Sequence, residues 1–400
     1  MIWNSVGSLI YLGLQWLITI FVVRLSSGYD AAGQLSLAMA ISNIFTPFAM
    51  YKVRAYQISD VRGEYTAGEY VGFRILTIAV SCVVVGIYTV ITCDPSTYLV
   101  IAGYVLFKAV DVFIDVLHGV DQKHGRMDYI GQSFILRGIL SFIGFCLTLY
   151  LTNDLNMAVL AMVIVTVPVA AFDVCKARQF DSLKPSFNPH LMYSLAKCCL
   201  PAVLAAFFCS AASTIPRQYL ALAFGDASLG IYSSVAAPVL IVQMGASYLY
   251  NPLLVPFSQC FARGDTKGFA SLFGKVTLGI CALSLVCGIG FSLFGEWALA
   301  LFYGDSIRPY AYLLIPMLAY TILTAYLWFF SDLLITVRGM VGNFVGNAVL
   351  FLVTIPSTFF FIQQWDMNGV SFTGIVSCLV AILVLGFALC SKVLAGKRDT

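Results

Sequence analysis

An all-α integral membrane protein of about twelve transmembrane helices in two six-helix lobes is the fold class that this sequence predicts. Three observations lead there. The 400 residues are 60% hydrophobic and 10% charged, with mean hydropathy +0.92, whereas a soluble domain has about 25% charged and roughly 45–50% apolar residues. Twelve apolar runs each reach the length of about 20 residues that a helix needs to cross the hydrocarbon core. A basic, proline-containing segment from Lys176 to His190 divides the runs six and six. The net charge of +3 is too small to point to nucleic acid or an acidic partner.

The spans fall at about 5–24, 32–51, 73–92, 98–118, 130–151 and 156–174, then at about 194–215, 229–251, 273–294, 309–330, 343–362 and 370–391. The first is too long, and too poor in preceding basic residues, for a cleaved signal peptide. Lys and Arg in the loops set the orientation. With the N-terminus cytoplasmic, sixteen of the 22 basic residues lie on the inside, and only Arg24, Arg217 and Arg308 mark outer edges. Both termini are therefore expected in the cytoplasm. No loop exceeds about 25 residues, so no soluble domain is inserted. The twelve cysteines sit mostly in apolar runs without a Cys-x-x-Cys pair, and read as small buried hydrophobes.

The halves, expected at residues 1–178 and 179–400, echo each other at an offset near 200 residues. Ala32-Gly33-Gln34-Leu35-Ser36 opens the second span and Leu229-Gly230-Ile231-Tyr232-Ser233 the eighth. Phe73-Arg74-Ile75 opens the third, and Gly274-Lys275-Val276 the ninth. Duplicated halves are a transporter signature, with the substrate path between them. Pro47, Pro168, Pro201, Pro238, Pro316 and Pro356 fall inside spans, where each removes a helical hydrogen bond and bends the axis. Gly342-x-x-x-Gly346 reads as close helix packing.

A charge at membrane depth costs several kcal/mol and so faces a partner or a wet cavity. Lys108, Asp111, Asp115 and His118 stand on one stripe of the fourth span at spacings of three, four and three. Two readings stay open: a self-neutralising ladder that fixes the helix, or a hydrated wall whose carboxylates take a proton or cation. His118 and Asp173 are expected at the cytoplasmic interface, as is Asp332, and Arg137 is expected to snorkel toward it or to face the cavity. The stretch 52–74, with Lys52, Arg54, Arg62 and Arg74, reads as a solvated face on lipid headgroups or as a loading site for a phosphorylated lipid. Arg24 and Arg217 break the inside-positive rule. There is no Gly-x-x-x-x-Gly-Lys-Ser/Thr loop for ATP, no His-Glu-x-x-His and no Gly-x-Ser-x-Gly, and the three histidines all fall near the inner surface. No cofactor, resident metal or catalytic residue is expected.

The run Lys108…Asp111…Asp115-Val-Leu-His-Gly119-Val-Asp-Gln122-Lys-His-Gly-Arg126-Met127-Asp128, continuing to Ser133…Arg137-Gly138-Ile-Leu-Ser141, resembles the fourth-to-fifth span region of polysaccharide-export flippases. These belong to the multidrug/oligosaccharidyl-lipid/polysaccharide (MOP) exporter superfamily. Gly7-Ser8-Leu9, Arg24-Leu25, Gly33, Arg54, Asp60 and Arg74 are similar as well, as are Arg217-Gln-Tyr219-Leu220 and Leu229-Gly230-Ile-Tyr232. Pro216 stands where that family often has an acidic residue. The resemblance implies two lobes around a central cationic cavity in the bacterial inner membrane. It further implies transfer of a polyprenyl-pyrophosphate-linked oligosaccharide from the inner to the outer leaflet. A pyrophosphate leaving water needs basic partners, here Arg24, Arg54, Arg74, Lys108, Arg137 and Arg217. With no ATP site, an ion gradient (H+ or Na+) would drive transport, with Asp111 and Asp115 as the coupling carboxylates. A monomer in contact with membrane lipids, in association with polysaccharide polymerase machinery, completes the expectation. The alternatives are a small-molecule exporter coupled to a cation, or a membrane-embedded glycan polymerase or ligase.

Overall fold

The computed structural model describes residues 2–26, 28–59 and 65–396; Asp60, Arg62, Lys397 and Arg398 lie outside the described residues. Among these, thirteen helices occur and no strand: α1 (Ile2–Leu25), α2 (Asp30–Met50), α3 (Val53–Ser59), α4 (Ala67–Thr92), α5 (Tyr98–Lys123), α6 (Met127–Thr152), α7 (Leu155–Ala177), α8 (Pro189–Phe224), α9 (Asp226–Tyr250), α10 (Leu254–Ala262), α11 (Thr266–Tyr303), α12 (Leu314–Thr336) and α13 (Met340–Gly396). α13 is broken at Trp365 and Asp366, whose backbone leaves the helical region. With that break there are twelve long helices, as the hydropathy pattern requires. In hydrocarbon every backbone polar group must be bonded within its own segment, so apolar runs of this length have no alternative to the helix.

Nine helices of the described residues qualify as spans by length and apolar composition alone, α13 among them. α2 and α5 do not. Gln34, Ser42, Asn43 and Thr46 dilute α2, and every span-length stretch of α5 contains Lys108, Asp111 and Asp115. The two helices that composition rejects turn out to line the candidate site.

Local chemistry sets the helix ends. Thr66 and Glu69 form a reciprocal capping box on α4, which satisfies two otherwise orphaned donors. Asp154 and Asp265 cap α7 and α11. Because the cap lies at Thr66, α4 begins before the expected span and carries Arg74 inside it. Pro316 falls in the first turn of α12, where a missing N–H costs nothing, so it is not a kink. The short helices α3 and α10 were not expected. They follow the second and eighth long helices, the same place in each half.

By contacts the chain forms two compact units, Met1–Ser210 with Gly225–Gly230, and Ala211–Phe224 with Ile231–Thr400. In the first, α5 packs against α2, α4 and α7, and α1 lies along α6. Gly7 and Gly131 bring the α1 and α6 backbones into direct contact, leaving no room for a Cβ on either. The segment after α7 stays with this unit: the Ser186 N–H donates to the Gly68 carbonyl at 3.0 Å, and Leu183 is buried with Val53, Tyr70 and Leu195. In the second unit α12 packs on α13, and Gly342 and Gly346 meet Ala388 and Leu385 across the α13 break.

Candidate substrate and ion site in the first unit

The α5 stripe does not neutralise itself. Asp111 accepts from Lys108 Nζ at 3.2 Å and from the Tyr11 hydroxyl at 2.9 Å, while Arg137 Nη1 of α6 lies 2.7 Å from its other oxygen. One turn on, Asp115 is held between Arg54 of α3 at 3.1 Å and Arg74 of α4 at 3.0 Å. Arg54 also donates to Gln122 at 2.8 Å, and Arg74 to the Ala49 carbonyl at 2.8 Å. Three neighbouring helices thus add cations to the two carboxylates of α5, beside its own Lys108.

Arg74 is fully buried and Arg137 nearly so, at 0% and 3% exposure. That corrects two expectations. Arg74 is not part of a solvated face, because the early start of α4 draws it into the bundle. Arg137 does not snorkel: its guanidinium lies 4.5 Å from the Tyr11 ring centroid and 5.1 Å from that of Phe134. Aromatic faces and a carboxylate replace its water shell. His118 and Asp173, expected at the interface, are also buried, at 1% and 0%. α7 lies against both α5 and α6, which covers them. Asp332 does not stand simply solvated either: Tyr250 donates to it at 3.0 Å.

Two adjoining cavities open here. One of about 310 Å³ is lined by Tyr11, Asn43, Lys108, Asp111, His118 and Arg137, among others. The second, of about 460 Å³, takes in Asn43, Lys52, Arg54 and Asp115. Asn43, Thr46, Met50 and Asp115 line both. Asp115 therefore stands where the two meet, with Arg54 on one side and Arg137 on the other.

Of the six basic residues expected to bind substrate, the structure brings Arg54, Arg74, Lys108 and Arg137 together. It does not bring Arg24 to them. Arg24 is thirteen residues beyond Tyr11 on α1, about 20 Å along the axis at 1.5 Å per residue. Arg217 belongs to the second unit, half-buried and within electrostatic reach of Tyr232. Sequence reading missed Tyr11, Asn43, Thr46 and Gln122. For α2 the signal was there: a span this poor in hydropathy needs a polar surface to face. For Tyr11 there was none, since a tyrosine in an apolar helix is ordinary.

Among solved structures, the whole chain superposes on a multidrug resistance MATE family transporter of the MOP superfamily, with TM-score 0.79 over 99% of that chain at 12% identity. It likewise superposes on the lipid II flippase MurJ, with TM-score 0.75 over 90% of that chain at 12% identity. The chain has the MOP exporter fold. It is a multi-pass membrane protein, and the proteins that share its fold are transporters and flippases. No protein-family model matches. A capsular polysaccharide biosynthesis protein, CapF of Staphylococcus aureus, is 24% identical over 377 residues, covering 92% of this chain and 93% of that protein. In this MOP fold the charged cluster sits on the fourth long helix, α5, and on α3, α4 and α6 around it.

Proposed function

We propose that this protein is a flippase that moves a polyprenyl-pyrophosphate-linked oligosaccharide from the inner to the outer leaflet of the bacterial cytoplasmic membrane by alternating access. One observation carries the reading: four cations face two carboxylates beside a cavity lined by charged and polar side chains. The cluster therefore has two positive charges in excess, and a pyrophosphate diester carries two negative ones. Bidentate guanidinium contacts from Arg54 and Arg137 suit its oxygens. Asn43 and Thr46 offer hydrogen bonds to a first sugar, and the lipid tail can stay in the bilayer. The names of two relatives support it: CapF belongs to capsular polysaccharide biosynthesis, and MurJ is a lipid II flippase.

The carboxylates have a part in this reading. An arriving pyrophosphate competes with Asp111 and Asp115 for their cations. As it takes Arg137 and Arg54, the carboxylates lose partners and gain affinity for H+ or Na+, which ties the gradient to the cargo. Arg24 and Arg217, at the outer ends of their helices, would receive the pyrophosphate later in its path. Both termini face the cytoplasm, a monomer suffices, and a polymerase consumes the product outside. A net-positive wall disfavours a cationic drug as cargo, since a like charge there is repelled.

The test uses cells lacking this protein. Polyprenyl-linked oligosaccharides are extracted from spheroplasts treated with a membrane-impermeant glycosidase, with lysed cells as control. Complete repeat units that accumulate and stay protected until lysis are the expected result. Units that reach the outer face and remain unpolymerised would assign the protein to polymerisation instead, and an unchanged pool would remove lipid-linked glycan as cargo.

A further inference from the structure

Behind the cluster, α5, α6 and α7 enclose a second set of ionisable groups that the proposed transport scheme does not use. Asp173 of α7 accepts a hydrogen bond from Ser133 of α6 at 2.7 Å through one oxygen. Its other oxygen, Oδ1, faces His118 Nε2 of α5 across 3.9 Å. Both of those atoms are buried without a hydrogen-bond partner, and Asp173, Ser133 and His118 are each at most 1% exposed. A gap of 3.9 Å is about 1 Å too long for a hydrogen bond. Buried polar groups are almost always satisfied, and one proton held between these two atoms would satisfy both.

We infer that Asp173, His118 and Ser133 form a one-proton site, in which a proton from water is shared between Asp173 Oδ1 and His118 Nε2. Among the described residues no group of three His, Cys, Asp or Glu side chains gathers that could hold a metal ion. The groups facing the site come from every helix around it. Arg137 of α6 acts on both Asp173 and His118, Arg54 of α3 acts on His118, and Asp121 of α5 acts on Asp173. His118 is also part of the wall of the 310 Å³ cavity, and its ring stands edge-on to Phe134 at 5.4 Å. Phe134 in turn covers the Arg137 guanidinium. Uptake of the proton adds one positive charge behind the wall that, in the proposed function, holds the pyrophosphate. By linkage, an anion in the cavity then raises proton affinity, and the proton raises anion affinity by the same factor.

The site itself is tested without any ligand. Full-length protein in phosphatidylethanolamine–phosphatidylglycerol liposomes is taken from mildly alkaline to mildly acidic pH under infrared difference spectroscopy. Beside any band of Asp121, whose carboxyl is also raised, wild type is expected to show a buried carboxylic-acid C=O band that D173N removes. H118Q should shift that band, and S133A should raise its frequency by deleting the hydroxyl that bonds it. S133A keeps the test open should D173N misfold. A D173N spectrum that keeps every titrating carboxylic-acid band of wild type, or a D173N-sensitive band that ignores both H118Q and S133A, overturns the proposal, as does the lack of any titrating band in wild type.

The linkage rests on the pyrophosphate reading and has its own arm. The probe is a citronellyl pyrophosphoryl N-acetylglucosamine, a diester with no group titrating near neutral pH. Its affinity for wild type should rise on the order of tenfold from mildly alkaline to mildly acidic pH, one added charge at partly screened distance. In D173N it should be flat. A probe that binds at no pH counts against the pyrophosphate reading and leaves the infrared result standing. A probe that binds with the same pH dependence in D173N sinks the linkage.

Discussion

α5 and α12 hold the same place in the two halves, fourth and tenth of the twelve long helices, yet they differ in kind. α5 carries Lys108, Asp111, Asp115 and His118 and draws Arg54, Arg74 and Arg137 around them. α12 carries one acidic or basic residue, Asp332, near its C-terminal end, and it accepts from the Tyr250 hydroxyl. Its neighbourhood is neutral and polar: Asn347 donates to Asn343 at 3.0 Å and to Ser331 at 3.5 Å. Among the described residues of the second unit, ion pairs join only Arg308 to Glu296 and Asp305, at exposed positions. The difference teaches that, among the described residues, buried ion pairs gather in the first unit, whereas those of the second lie at exposed positions. Neutral polar bonds suffice to hold helices together in lipid. Buried charges contribute little to net stability, so their concentration around α5 points to binding.

The sharpest way to break this comparison is to remove Arg137. Arg137→Ala leaves Asp111 with one cation at membrane depth. It should lower stability by about 3–5 kcal/mol and abolish surface polysaccharide, read by thermal unfolding in detergent and by glycan staining of cells. R137K should recover fold but little transport, since an ammonium cannot reproduce the planar contacts. Asp332→Asn in α12 should cost less than about 1 kcal/mol and leave transport intact. Equal losses from R137A and D332N would erase the distinction.

Next in size is the Asp115 pair. Asp115→Asn leaves Arg54 and Arg74 without a counter-ion and should cost about 2–4 kcal/mol. Adding Arg74→Met should recover part of that, with a coupling energy of about 1–3 kcal/mol in a double-mutant cycle. Additive effects would show that the two residues act separately. Packing should be indifferent to the comparison: Gly131→Val between α1 and α6 and Gly346→Val within α13 should each lower stability by about 1–3 kcal/mol, because both halves use glycine for close approach. A much larger loss in one half would show that the scaffolds differ in more than charge.

The smallest effect lies outside the span 98–118, in the last turn of α5. Burial, together with nearby Asp128, pushes the Asp121 carboxyl up to about 6. Both its oxygens lack hydrogen bonds. A carboxyl held above its unfolded value favours the folded state when protonated, and that advantage is lost as pH rises from about 4 to about 6. Asp121→Asn should therefore match wild type below about pH 4 and be more stable by about 1 to 2 kcal/mol above about pH 6, allowing for solvent screening. Unfolding followed against pH reads it, and a variant that is less stable at neutral pH would contradict the burial argument.

Much of the fold was legible before any coordinates. Twelve apolar runs gave twelve long helices, because an apolar segment in lipid has one way to satisfy its backbone. Their ends were less legible. α11 runs from Thr266 to Tyr303, past its apolar stretch at both ends, since caps, Asp265 at its start and Gly304 at its end, and not hydropathy decide where a helix begins and stops. The α5 stripe was visible from spacing, but its partners were not. Lys108 lies three residues from Asp111, whereas Tyr11, Arg54, Arg74 and Arg137 come from other helices.

His118 and Asp173 mark the boundary most plainly. Each sits at the end of its expected span, where position along the chain points to water. Only the lateral packing of α7 on α5 and α6 takes them out of it. What the sequence alone determined is the local and one-dimensional part: helix number, the basic asymmetry of the loops, and which face of α5 is charged. Tertiary structure alone decided which cations answer which carboxylates and which carboxylate is left with an imidazole. Helix formation depends on hydrogen bonds four residues apart, but an ion pair depends on which helices become neighbours.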